Sequence, residues 1–172
     1  MIDEEELERL AAEGAVKLLI VEGTPIWEAS PNPDHQIIIE DIRATIRPSH
    51  RAQRGSDCGC YHLPDVNFFL AGVSRVRPDI AIFCERPPKQ RGAYTFPPPA
   101  VIEIISPGYA KKDLEKLPPA YLHAGVLDVI VYNPATGEIF WFDQESGELH
   151  PRRLAAPQTM ILQCGCEVTI AP

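Results

Sequence analysis

No run of apolar residues in this chain is longer than a strand, so the sequence holds no transmembrane helix of the usual length. The opening residues, MIDEEELERL, lack the basic leader and apolar stretch of a secretory signal, and a cytoplasmic location is the expectation. Positive charge is in short supply: 16 lysines and arginines face 24 acids, for a net charge of −8. That balance counts against a protein whose whole surface serves a polyanion. The deficit is uneven. Residues 1–13 hold six acids and one arginine, which makes them −5 on their own. Residues 42–56 carry Arg43, Arg47, Arg51 and Arg54 and no acid, which keeps a nucleic-acid face open. No repeat or low-complexity tract stands out.

What the chain does have is an ordinary globular composition, 45% apolar and 23% charged, over 172 residues. That length supports one hydrophobic core, and the expectation is a single domain over 1–172 with an acidic segment at 1–13. Five cysteines without a secretory signal point to reduced thiols. The tripeptide CGC occurs at 58–60 and again at 164–166, so a zinc site from Cys58, Cys60, Cys164 and Cys166, with His62 nearby, is conceivable. One intervening residue gives a poor chelate angle, and paired thiols or incidental strand cysteines are the preferred account.

The 18 prolines fall mostly between apolar runs and punctuate the chain. A short acidic helix over 3–13 precedes two strands, VKLLIVEG and TPIWEAS, joined through Glu22-Gly23. The next helix runs to Arg47 with Asn32 as its cap and Pro33 in its first turn. Ile38, Ile39, Ile42 and Ile46 form its apolar stripe, with His35 on the same face. Residues 48–64 read as polar and turn-rich, and DVNFFLAG and RPDIAIFC as neighbouring strands. After an exposed proline-rich connection come the strand AVIEIIS, a helix over 110–124 disturbed by Pro118-Pro119, and the strands VLDVIVYNP, EIFWFD and MILQCGCEVTI. Strand, helix and strand around Gly125 argue for a βαβ unit, and the class is α/β or α+β with one mixed central sheet.

Two of these strands contain an acid where an apolar residue belongs. Alternation puts Asp79 with Ala81 and Phe83, and Glu103 with Val101 and Ile105, so neighbouring strands bring the two carboxylates to one end of the sheet. Such a pair repels itself, and a divalent cation relieves the repulsion. Mg²⁺ suits one or two carboxylates, and phosphodiester hydrolysis is the reaction that most often uses this arrangement. The plainer account has each acid accepting hydrogen bonds from nearby amides, or pairing with Arg75 or Arg77.

The order "RPDIAIF", "VIEIISP", "D…K…Y…AGV" and a later strand ending "NP" resembles the Uma-type restriction endonucleases of the PD-(D/E)XK nuclease superfamily. The stretch "EG…W…SPNPDHQ" at 22–36 is similar to that family's glycine hairpin and helix-opening histidine, and the likeness covers residues 17 to 142. The resemblance implies a restriction-endonuclease-like mixed sheet flanked by helices. It implies a Mg²⁺ (or Mn²⁺) ion held by Asp79, Glu103 and the Ile104 carbonyl, and DNA as the partner. The superfamily's lysine two residues after the glutamate is Ile105 here, and the family pattern implies Lys116 in its place, with Asp113 beside it. Lys116 stands five residues before Tyr121 where four is usual, and Leu19 replaces an acid common before the glycine. Lys111 or Lys112 could substitute for Lys116, but each reads rather as a solvated lysine near a helix start. Asp65 reads as a turn aspartate, and His35 as a structural core histidine. The leading expectation is a Mg²⁺-dependent endonuclease acting on DNA, which needs a homodimer to cut both strands. The alternatives are a degenerate nuclease-fold binding module and a zinc-stabilised interaction domain.

Overall fold

In the computed structural model, which describes residues 4–50, 57–71, 74–145 and 150–172, the chain begins with α1 (Glu4–Ala12), β1 (Val16–Val21), β2 (Thr24–Ala29) and α2 (Pro33–Arg43). It continues through β3 (Arg47–Pro48), β4 (Tyr61–Pro64), β5 (Phe68–Leu70), β6 (Ser74–Val76), β7 (Ile80–Phe83) and β8 (Ala100–Ile104). A π-helical turn, Lys112–Lys116, then runs straight into α3 (Leu117–His123). The strands β9 (Asp128–Asn133), β10 (Glu138–Asp143), β11 (Arg152–Ala155), β12 (Gln158–Ile161) and β13 (Cys166–Ile170) complete the fold.

The central sheet has the order β11-β10-β9-β8-β7-β4, antiparallel except for the parallel pair β8–β9 that α3 crosses between. Period-two alternation divides its side chains between two cores. Ile80, Ile82, Ile102 and Ile130 face Ile39 and Ile42 of α2 and the small sheet β12-β13-β3. On the other face, Ala81, Val101, Val129 and Val131 meet Leu117 and Tyr121 of α3, and Phe68 and Val76 of a second sheet, β2-β1-β6-β5. The expected mixed sheet flanked by helices is present, with a small sheet added on each face.

Local chemistry accounts for the element boundaries. Glu22 and Gly23 both have positive φ, 48° and 82°, as a two-residue hairpin turn between right-twisted strands demands. The Asn32 side chain accepts from the His35 amide at 3.0 Å and starts α2. This helix stops at Arg43 rather than Arg47. Thr45 bonds back to the Ile42 carbonyl and across to both polar groups of Thr169, which docks the chain on β13 and makes Arg47–Pro48 a strand.

The pairings differ from the sequence expectation at three further places. Residues 61–64, read as turn-rich, form β4 against β7. DVNFFLAG is not a neighbour of β7: its β5 pairs with β6, and the aromatic cluster of Phe68, Phe83 and Tyr94 joins the two sheets instead. The last segment is a hairpin, β12–β13, turning at Leu162–Gly165 rather than one long strand. Four of the five cysteines are paired, Cys58 with Cys84 and Cys60 with Cys166, which replaces the expectation of reduced thiols and leaves Cys164 free.

Under the central sheet, Asp128 is fully buried and accepts from Trp141 Nε1 and from the Gln163 amide, each at 2.8 Å. Burial pushes its carboxyl above the ordinary range against the pull of these donors. Trp141→Phe removes one donor and is expected to cost about 1–3 kcal/mol in urea denaturation.

Candidate active site

Asp79 lies just ahead of β7, and Glu103 is the fourth residue of β8. The register Ile80↔Ile102 sets the two acids side by side at one end of the pair. The Ile104 amide donates to Asp79 Oδ2 at 2.8 Å, and the Asp79 amide reaches Glu103 Oε2 at 3.4 Å. Both carboxylates are deeply buried, 5% and 4% exposed.

Each acid has its own surroundings. Asp79 Oδ1 receives His35 Nε2 from α2 at 3.0 Å and the Lys17 ammonium from β1 at 3.6 Å. Lys17 also holds Asp65 at 2.8 Å, which in turn pairs with Arg77. Burial alone would raise the Asp79 carboxyl, but His35, Lys17 and the Ile104 amide outweigh it and hold the group below its ordinary range. Lys17 moves the other way: burial would lower it, and Asp79 and Asp65 keep it raised and charged. Glu103 has fewer allies. Burial and the neighbouring Asp79 push its carboxyl well above normal, and the Tyr121 hydroxyl donates to its Oε1 at 2.5 Å. Burial and Glu103 likewise raise the Tyr121 phenol, which therefore stays a donor.

The π-helical turn brings a third charged group to Glu103. Pro118 and Pro119 lack amide donors, which the first turn of α3 does not use. The wider turn before them leaves Lys112 and Asp113 buried. Lys112 is pinned by Glu28 at 2.6 Å and Asp113 at 2.9 Å. Burial works against its charge, but Asp113, Glu103 and Glu28 raise it further above the ordinary lysine value. Asp113 is pushed up to about 7 by burial, and its Oδ2 is buried with no hydrogen-bond partner.

Of the sequence-predicted residues, the fold joins Asp79 to Glu103 and sets Lys116 apart. Lys116 is exposed and lines a cleft with Phe140, Phe142 and Arg153. Lys112, read as solvated, is the buried lysine of this turn. His35 proves to bond Asp79, and the turn aspartate Asp65, at φ 56°, binds Lys17. Sequence reasoning passed over Lys17, Glu28 and Tyr121. Only Lys17 carried a visible signal, as a lone charge inside the apolar run VKLLIV.

Two clefts each have one of the partners of Asp79 in their walls. One, of about 310 Å³, is lined by His35, Ile105, Ser106 and Tyr109. The other, of about 400 Å³, has Lys17, Trp27, Asn67, Arg75 and Arg77 in its walls and is cationic. Of the basic stretch read at 43–54, Arg43 bonds Glu40 and His62, and Arg47 bonds Glu167. Arg51 and Arg54 lie outside the described residues.

The chain matches the model of the Uma2 family, described as "Putative restriction endonuclease", over residues 4–170. Among solved structures it is similar to "a putative nuclease belonging to DUF820" from Anabaena variabilis. The two are 17% identical with a TM-score of 0.61, and the likeness covers 81% of this chain and 77% of that one. At that identity the likeness speaks for a shared nuclease fold. No curated protein matches.

Proposed function

Because the chain belongs to the Uma2 family, we propose that it is a Mg²⁺- or Mn²⁺-dependent endonuclease that hydrolyses DNA phosphodiester bonds at Asp79 and Glu103, within one domain working in the cytoplasm. The observation that carries this reading is the side-by-side placement of two carboxylates, where burial and then the neighbouring Asp79 push Glu103 upward. The donor set fits a hard divalent ion: two carboxylates, with the Ile104 carbonyl as a further oxygen. Such an ion supplies charge neutralisation and Lewis acidity toward a phosphate.

The chain's own residues would do the rest. Tyr121 fixes the Glu103 carboxyl through its hydroxyl, and His35 fixes Asp79. Lys112 stays protonated at any working pH, so it serves as a fixed cation and hydrogen-bond donor near the reacting phosphate rather than as a base. Arg75 and Arg77 in the cationic cleft offer contacts for the phosphates of the strand.

A second reading, a nuclease-fold module that binds without cutting, draws on Lys17. Its ammonium lies 3.6 Å from Asp79, where it already neutralises part of the charge a metal would. Incubation of supercoiled plasmid DNA with Mg²⁺ or Mn²⁺ separates the two readings. Cleavage by the wild type that Lys112→Met reduces by about 10²-fold or more, and that Lys116→Ala leaves within a factor of three, is the expected result. Full activity in Lys112→Met with loss in Lys116→Ala would return the role to Lys116. No cleavage with either ion, in protein that still binds DNA, would favour the binding module.

A further inference from the structure

All five cysteines gather at one place, away from the two carboxylates. The sulfurs of Cys58, Cys60 and Cys166 lie within 4.8 Å of one another, and so do those of Cys58, Cys84 and Cys164. Cys58, shared by both groups, is bonded to Cys84 and stands 3.4 Å from Cys166, which is bonded to Cys60. Four sulfurs are therefore in continuous contact, with Cys164 at the margin. The cluster is buried: Cys58, Cys60 and Cys166 are 7%, 4% and 0% exposed.

The backbone is shaped around this packing. Gly59 donates to the Cys84 carbonyl at 2.8 Å, and a Cβ there would sit 3.1 Å from that oxygen and 2.7 Å from the Tyr61 ring. Only glycine lets the first CGC lie against Cys84. Cys60 takes a positive φ of 52°, and Gly165 one of 93°, so both CGC segments turn at the cluster. These turns draw the ligands from three segments, so only Cys58 and Cys60 form a C-x-C pair, and the positive φ of Cys60 turns the backbone between that pair and the next residues.

We infer that in the reduced protein Cys58, Cys60, Cys84 and Cys166 bind one Zn²⁺ ion as a tetrathiolate, and that the two cystines are the oxidised, metal-free form of the same site. Four thiolates are the donor set of a closed structural zinc site, and here Cys58 lies within 4.8 Å of Cys60, Cys84 and Cys166 alike; soft thiolates leave Mg²⁺ and Mn²⁺ to the oxygen donors. The two sites share β7 but occupy its opposite ends, Asp79 before it and Cys84 after it, about 16 Å apart by strand rise. Conversion between the forms balances. Four thiolates give up four electrons in forming two disulfides; two hydrogen peroxide molecules take them up with four protons, giving four waters and free Zn²⁺. A dithiol or phosphine reductant reverses the sulfur step.

The test is a Co²⁺ titration of the full chain, reduced with a phosphine under nitrogen. The expected result is one equivalent bound, with thiolate-to-cobalt charge-transfer bands and the d–d absorption of a tetrahedral ion, displaced by one equivalent of Zn²⁺ and lost on peroxide addition. Cys60→Ser should lose the tetrathiolate spectrum, Cys164→Ser should keep it, and Asp79→Asn should leave it untouched. The wild-type titration stands without the variants: no uptake, or only the weak spectrum of oxygen-ligated octahedral cobalt, overturns the zinc site. That second outcome would leave the carboxylate site standing.

Discussion

Glu103→Gln is expected to melt at or above the wild type in metal-free buffer, while Asp79→Asn melts below it. The two acids sit in one site but play opposite parts in the empty fold. Glu103 is buried beside another carboxylate and gains little from ionising there, so a neutral amide that still accepts from Tyr121 removes that liability and gives up only the long contact of 3.4 Å from the Asp79 amide. Asp79 is ionised and satisfied, with Lys17, His35 and the Ile104 amide all directed at it. Replacing it strands part of the charge of a buried lysine, at a cost of about 1–3 kcal/mol because Asp65 still holds Lys17. For a chain of this length that is a drop of roughly 2–12 °C. Millimolar Mg²⁺ or Mn²⁺ should raise the melting temperature of the wild type and of neither variant. Thermal melts of all three proteins with and without the ions make the check. A wild type indifferent to both ions would sink the metal site, and equal losses in the two variants would sink the division of labour.

The second large effect is one of pH. The Asp113 carboxyl titrates near 7 in the folded chain, against about 3.9 when unfolded. Its folded value is the higher one, so its contribution is complete below pH ~4 and is lost as pH rises through 7. Three units correspond to roughly 4 kcal/mol at most, with the loss spread across that window. Glu103 acts in the same direction, so apo stability should fall steadily from pH 5 to 8. Asp113→Asn should flatten much of that slope and be the more stable protein at pH 8, as followed by urea denaturation at each pH. Stability rising over the same window, or Asp113→Asn weakest at pH 8, would mean that Lys112 keeps Asp113 ionised.

The pairing of Asp79 with Glu103 was legible because it rests on two short-range rules. Strand side chains alternate, and an acid in an apolar run is out of place unless something meets it. The inward place of Lys112 was not legible. The resemblance points to Lys116 by its distance along the sequence from Tyr121, whereas residues 112–116 wind as a π turn, which has no composition of its own and runs into Pro118-Pro119. Position by position, Lys116 goes to solvent and Lys112 goes inward. Strand partners were hidden for another reason: Phe68–Leu70 is as apolar as a central strand, and only tertiary packing decides that it joins β6 rather than β7. The sulfur cluster had the same difficulty, since Cys84 lies 26 residues from the cysteine it meets.

The hairpin β1–β2 also bears on how such a chain comes into being. It brings Lys17 and Glu28 to groups synthesised much later, and the Glu28–Lys112 contact spans 84 residues. Contacts of such sequence separation are slow to close, because the loop entropy is lost before any bond rewards it. During translation Asp79 and Glu103 leave the ribosome before α3 and β9 exist to cover them. The early chain thus holds two unshielded acids and no assembled centre. A protein of this build has its two carboxylates set side by side and covered only when the domain is finished.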